Sequence, residues 1–173
     1  MVPVKRLFLL RHAKSSWDDP GLDDRDRSLA PRGRRASKLI AGHLRRERIS
    51  PSLVLCSSAR RTRETLEPVV PALDAANVSV EDRLYGASSD ALLQRLREVP
   101  ADVESVMLVG HQPAIQELAL DLAGDGAELA RVRAKFPTAA LATLLFAGDW
   151  SELGPGSAEL VAYVKPKELA VER

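Results

Sequence analysis

Leu7-Phe8-Leu9-Leu10-Arg11-His12-Ala13-Lys14-Ser15-Ser16-Trp17-Asp18 is the stretch whose reading decides the fold. An apolar run from Val4 to Leu10, broken only by Lys5 and Arg6, stops abruptly at Arg11-His12, and a polar loop follows. Such a run reads as a strand buried on both faces of a parallel sheet. In open α/β sheets, ligands bind beyond the carboxyl ends of the strands. An arginine and a histidine delivered there together are placed for chemistry on an anion. The guanidinium is a rigid fork of donors that fits phosphate oxygens, and a neutral imidazole can act as a nucleophile.

Two later strands end in the same manner. Leu53 to Cys56 runs into Ser57-Ser58-Ala59-Arg60-Arg61-Thr62-Arg63-Glu64-Thr65, where small hydroxyl residues open a helix and leave backbone donors free for an anion. Ser105 to Val109 runs into Gly110-His111-Gln112-Pro113, with Pro113 expected in the first turn of the next helix. Between these strands lie helical patterns. Ser28-Leu29-Ala30-Pro31-Arg32-Gly33 leads into one that runs to about Arg48, with Ala36, Leu39, Ile40, His43 and Leu44 on one face, which makes His43 a packing residue. Another starts at a Ser88 or Ser89 cap and continues through Glu98. A third carries Ile115, Leu118, Ala119 and Leu122 and ends near Gly124.

Asp18 to Arg27 and Glu81 to Gly86 read as loops, Val78 to Val80 as a short strand, and Ala139 to Phe146 and Leu160 to Val164 as the last strands. Alternation of strands and helices predicts a three-layer α/β/α sandwich with a largely parallel central sheet. No repeat, linker or compositional shift divides residues 1–173, so a single domain is expected.

The bulk numbers exclude several classes. Apolar content of 45% and charged content of 28% are those of an ordinary globular protein. A net charge of +1 argues against a dedicated nucleic-acid binder. No run is long enough to span a membrane, and Met1 to Lys5 lacks the apolar core of a signal peptide. The single cysteine, Cys56, rules out an internal disulfide and suits a reducing, cytoplasmic setting.

If the three strands are parallel neighbours, Arg11-His12, Ser57 to Arg63 and Gly110-His111 gather at one sheet edge. Two histidines could ligate zinc, but the arginines beside them would repel a cation and no spaced carboxylates accompany them. No metal and no other cofactor is therefore expected.

Arg11-His12-Ala13 resembles the Arg-His-Gly signature of the histidine phosphatase superfamily, which includes the cofactor-dependent phosphoglycerate mutases. The alanine form is similar to that of the small SixA-type phosphohistidine phosphatases. Ser57, Arg61 and Thr65 fit the spacing of the family's second motif, which selects Arg61 and leaves Arg60 and Arg63 as surface charge. His111 matches its second histidine. Ser15, Trp17 and Asp18 line up with the serine, tryptophan and asparagine of the mutases, and Leu29-Ala30-Pro31-Arg32-Gly33 with a mainly structural motif. The resemblance implies a phosphoglycerate mutase-like fold across the chain. It makes His12 the nucleophile that is phosphorylated, Arg11 and Arg61 ligands of the phosphoryl oxygens, and His111 a donor to the transition state.

The proton donor stays open. Asp82 lines up with the mutases' glutamate but is a methylene shorter, and Asp18 could also face the leaving group. An ester leaving as alkoxide needs a general acid. A phosphohistidine leaves as imidazole, whose conjugate acid has a pKa of about 6.5, and needs little help. A short chain also has little room for the insertions that close mutase sites over small substrates. The favoured expectation is a phosphatase acting on phosphohistidine of a phosphorelay protein. The alternatives are a small-molecule phosphomonoesterase and a non-catalytic phosphoprotein binder.

Overall fold

Leu7 and Leu9 project to one side of the first strand and Phe8 and Leu10 to the other, and all four are buried. A strand with two apolar faces needs cover on both. In the computed structural model, which describes residues 2–73 and 77–171, this strand, β1 (Val4–Arg11), lies at the middle of the sheet. Met1, at the head of the stretch considered above for a leader, lies outside the described residues.

The other strands are β2 (Leu53–Ser57), β3 (Asn77–Glu81), β4 (Ser105–Gly110), β5 (Ala123–Asp125), β6 (Leu141–Ala147) and β7 (Ala158–Val164). Among the described residues they form one sheet in the order β3-β2-β4-β1-β6-β7-β5. β3, β2, β4 and β1 are mutually parallel. β6 is antiparallel to both β1 and β7, so the sheet is largely but not wholly parallel. The reversal has a local cause: the Ala139 N–H donates to the carbonyls of Arg11 and His12, at 3.1 and 3.0 Å. The chain thus enters β6 at the edge where β1 ends, and must run away from it.

Helices cover both faces. α1 (Pro31–Arg46), α2 (Arg60–Leu66) and α6 (Pro166–Val171) contribute Ile40, Leu44, Leu66 and Leu169 to the core that holds Phe8, Leu10, Cys56 and Val109. α3 (Ser89–Arg97), α4 (Ala114–Leu122) and α5 (Leu129–Ala134) pack Leu92, Leu96, Ile115, Leu118 and Val132 against Leu7, Leu9, Leu55 and Leu108. The Ser88 hydroxyl caps α3 by accepting from the Ala91 N–H at 3.1 Å. Pro113 precedes α4 rather than entering its first turn, and β2 includes Ser57, so α2 starts only at Arg60. His43 is half-buried on α1, away from the edge where the three polar clusters meet. Among the described residues no helix is long and apolar enough to cross a membrane.

Register aligns the ends that matter. Arg11 pairs with Gly110, Leu10 with Val109, and Cys56 also with Val109. Arg11-His12, Ser57 and Gly110-His111 therefore leave the sheet level with one another. The first turn of α1 presses on the loop that follows His12: Ala30 N–H donates to the Lys14 carbonyl at 2.9 Å. A Cβ on Gly33 would lie only 2.1 Å from that same carbonyl oxygen. Gly33→Ala must therefore move α1 or the loop. It is expected to lower stability by roughly 1–3 kcal/mol, seen as a fall in Tm. An unchanged Tm would mean that this approach is not tight in solution.

Candidate active site

β1 delivers His12 with its backbone pinned on both sides. The His12 N–H donates to the Gly110 carbonyl at 3.1 Å, and its own carbonyl accepts from Ala139. The Ala13 N–H donates to Thr65 Oγ1 at 2.9 Å, and that hydroxyl donates to the Arg61 carbonyl at 2.7 Å. The threonine eight residues after Ser57 thus ties the first motif to the second.

The side chain of His12 is buried, with 8% exposure. Its Nδ1 lies 2.7 Å from the Ala13 carbonyl oxygen. A carbonyl only accepts, so Nδ1 must carry the proton and Nε2 the lone pair. Burial pushes the imidazole pKa down to about 3, against the pull of the Ala13 bond and with help from the charges of His111, Arg61 and Arg11. At neutral pH His12 presents an unprotonated Nε2.

His111 leaves β4 one strand away, its ring 5.3 Å from that of His12. Its Nε2 is 2.8 Å from the Ser57 hydroxyl. That hydroxyl also accepts from the Ala59 N–H at 3.3 Å; in the tautomer where it donates to Nε2, the neutral ring carries its hydrogen on Nδ1. Burial first, then Arg61 and Arg11, lowers the His111 pKa to about 4, with Asp24 opposing. Arg11 is aimed by a 2.9 Å bond from Nη1 to the Phe136 carbonyl. Among the described residues, two buried side-chain nitrogens have no hydrogen-bond partner, Arg11 Nε and His111 Nδ1. Both belong to this cluster. Orphaned buried donors are costly, and donors in a positive setting are satisfied by an anion.

α2 turns Arg61 inward and leaves Arg60 and Arg63 exposed, Arg60 paired with Glu64 at 3.1 Å and Arg63 donating to the Ser58 carbonyl. Arg61 reaches Asp24, donating to its carbonyl at 2.8 Å and its Oδ2 at 3.0 Å. The same carboxylate accepts from the Tyr85 hydroxyl at 2.7 Å and from Arg27 at 3.1 Å. The Tyr85 bond, followed by Arg61 and Arg27, holds its pKa down at about 2. Tyr85 also stands edge-on to His111, ring centres 5.8 Å apart. Arg27 completes the frame: it donates to the buried Ser15 hydroxyl at 2.6 Å and stacks 3.2 Å above the Trp17 ring.

Asp24, Arg27 and Tyr85 were not singled out by sequence reasoning. Asp24 is one of several acids in a loop, and only the Asp24–Arg27 spacing of three hints at a pair. Ser15 is held by Arg27, so its hydroxyl braces the loop. The two carboxylates considered as proton donors lie elsewhere. Asp82 is exposed at the rim, where the Ser58 hydroxyl and then Arg25 hold it below the usual carboxylate range. Asp18 is exposed on the loop, its N–H donating to the Ser16 hydroxyl.

Residues 7–90 match the profile of the histidine phosphatase superfamily (branch 1). An uncharacterized protein of Mycobacterium tuberculosis is 40% identical over 162 residues, covering 91% of this chain and all of the relative. The structure of a candidate phosphohistidine phosphatase SixA from Agrobacterium tumefaciens superposes with a TM-score of 0.82 at 32% identity, over 96% of this chain and 100% of the other. The protein histidine phosphatase SixA complexed with tungstate gives 0.72 at 26% identity, over 95% and 99%.

Two buried neutral histidines have a consequence for stability. Unfolded, each takes up a proton near pH 6.5, whereas folded, they do so at about 3 and about 4. Between those limits the unfolded chain binds more protons, so stability falls on acidification, by roughly 2 kcal/mol per histidine at pH 5. The depressed carboxylates act with the same sign but only below their own ordinary range. Urea unfolding of wild type at pH 7 and 5 is expected to show this loss, and His12→Asn/His111→Asn to lack most of it. Equal losses in both proteins would mean that the histidines are protonated in the fold.

Proposed function

The chain belongs to the histidine phosphatase superfamily, and we propose that it is a phosphatase working through a phosphorylated His12, with phosphohistidine of another protein as its substrate. The observation that supports this most directly is the tautomer of His12: Nδ1 is committed to the Ala13 carbonyl, so the lone pair is on Nε2 of a ring flanked by His111, Arg61 and Arg11. In this proposal the Nε2 lone pair attacks phosphorus. The substrate ring enters protonated on its other nitrogen, which titrates near neutral pH. The bond from phosphorus to that ring breaks, its electron pair stays on the departing nitrogen, and the ring leaves as neutral imidazole. Water then attacks the phosphoryl group, the P–Nε2 bond breaks, and inorganic phosphate leaves.

The protein's part in both steps is positioning and charge stabilisation. Arg11 Nε, His111 Nδ1 and the remaining N–H groups of Arg61 are the donors for the three equatorial oxygens. Donors preset in a buried site cost no reorganisation when charge develops. Asp24 is a positioning residue here: bonded to Arg61, Arg27 and Tyr85, it fixes the direction of the Arg61 fork. The tungstate complex of the SixA relative is in keeping with an oxyanion site. The surrounding guanidiniums disfavour a divalent cation, so metal independence is part of the proposal. A reducing cytoplasm is proposed as its setting, since the buried Cys56 thiol, raised to about 12 by burial, is kept out of disulfide chemistry.

Phosphohistidine is preferred to an ester because of the leaving group. An ionised Asp82 beside Arg25 has no proton to give. An imidazole already protonated on its other ring nitrogen departs neutral without an acid from the enzyme, whereas an alkoxide needs one. The test compares a phosphohistidine peptide with alkyl and aryl phosphates. Turnover of the peptide should be fastest, survive exhaustive chelation, and change by only a small factor in Asp82→Asn. Preference for an alkyl phosphate, with Asp82→Asn losing roughly 10²–10⁴-fold, would replace this reading with that of an esterase.

A further inference from the structure

A groove of about 310 Å³ lies between α1, α6 and the segment leading into β6. Its rim carries Lys14, Arg32, Arg35, Lys135, Lys165 and Lys167, and no carboxylate lines it. These cations come from four separate parts of the chain, so no single charge run explains their convergence. The whole protein has 25 basic and 24 acidic residues, which makes such segregation notable. Among the described residues none of the six forms a salt bridge. Glu168, beside Lys167 in the chain, turns instead to Arg131 at 2.7 Å. Among the described residues no ion pair ties up the rim, although Glu168 also accepts from the Lys165 N–H at 2.9 Å and feels the Lys165 charge.

We propose that this groove is a docking site for an acidic segment of the phosphoprotein substrate, next to its phosphohistidine. The proposal rests on the function put forward above and names the partner's chemistry. Two observations choose the occupant. The floor is aliphatic, formed by Leu39, Pro137 and Pro166 beneath the cationic rim. A polypeptide rich in Asp and Glu uses both, with carboxylates on the rim and side-chain methylenes on the floor. Inorganic polyphosphate would use the rim alone, and no aromatic side chain lines the groove to stack a nucleotide base. The second observation is continuity. Lys14 follows His12 by two residues, and the segment from Lys135 to Ala139 is shared: it lines the groove, gives Arg11 its carbonyl partner at Phe136 and holds the His12 backbone. A chain bound in the groove is led toward the nucleophile.

Attraction of this kind acts on capture and weakens with salt. The probes are two phosphohistidine peptides, one flanked by glutamates and one by serines, with imidazole phosphate as a substrate too small to reach the groove. Wild type should favour the glutamate peptide in kcat/KM by roughly tenfold at low salt, and less at high salt. Arg35→Ala/Lys165→Ala/Lys167→Ala should erase that preference and leave imidazole phosphate turnover unchanged. Equal use of the two peptides by wild type would overturn the docking site while leaving the phosphatase reading intact.

Binding of the unphosphorylated glutamate peptide, followed by fluorescence anisotropy, judges the groove without any chemistry. Saturable binding that the triple variant loses supports the docking site even if no phosphohistidine peptide is turned over, a failure that would fall on the proposed function alone. No binding, or tighter binding of ATP than of the peptide, would overturn it.

Discussion

The bond from His12 Nδ1 to the Ala13 carbonyl holds the rest of the site in place, because it decides which nitrogen has a lone pair. An imidazole this buried, flanked by Arg11, Arg61 and a second histidine, is tolerated only in its neutral form. The ring it holds stands 5.3 Å from that of His111, at the end of the neighbouring strand. It can form only because the loop from Ala13 to Lys14 is held by Thr65 on one side and by the first turn of α1 on the other. Gly33, where a side chain would collide with the Lys14 carbonyl, belongs to this arrangement as much as the histidine does.

A second constraint is the concentration of positive charge. Arg11, Arg27 and Arg61 lie around this site, and the strongly held carboxylate of Asp24 pairs with Arg27 and Arg61. That carboxylate leaves Arg11 Nε and His111 Nδ1 unsatisfied. The fold therefore keeps a surplus of donors where an oxyanion with several oxygens would be stabilised. The groove beyond Lys14 repeats the pattern, with six cations and, among the described residues, no carboxylate in its lining, and it shares the segment entering β6 with the site.

Much of this was legible in the sequence, for identifiable reasons. β1, β2 and β4 are continuous apolar runs that stop at polar clusters, and their period and abrupt ends give both the parallel pairing and the edge where the clusters meet. The resemblance to the family's second motif picks out Arg61 from its two exposed neighbours, and within α2 Arg61 and Thr65, four apart, share the buried face. Shorter elements carried no such signal. β5 is three residues, Ala123-Gly124-Asp125, and α5 and α6 have six each, too few for a period to register. The antiparallel course of β6 depends on hydrogen bonds from Ala139 to a strand more than a hundred residues away. Asp24, Arg27 and Tyr85 meet through the same kind of long-range closure, which a charge-rich loop does not advertise.

The central claim, that His12 attacks through Nε2, is tested most directly by trapping the phosphorylated enzyme from ¹⁵N-histidine-labelled protein and reading the phosphorus–nitrogen couplings by NMR. Phosphorus bonded to Nε2 of His12, labile in acid and stable in base, is the result expected. A phosphoryl group on Nδ1 of His12 or on His111, or rapid turnover with no phosphorus–nitrogen bond at any point, would contradict it.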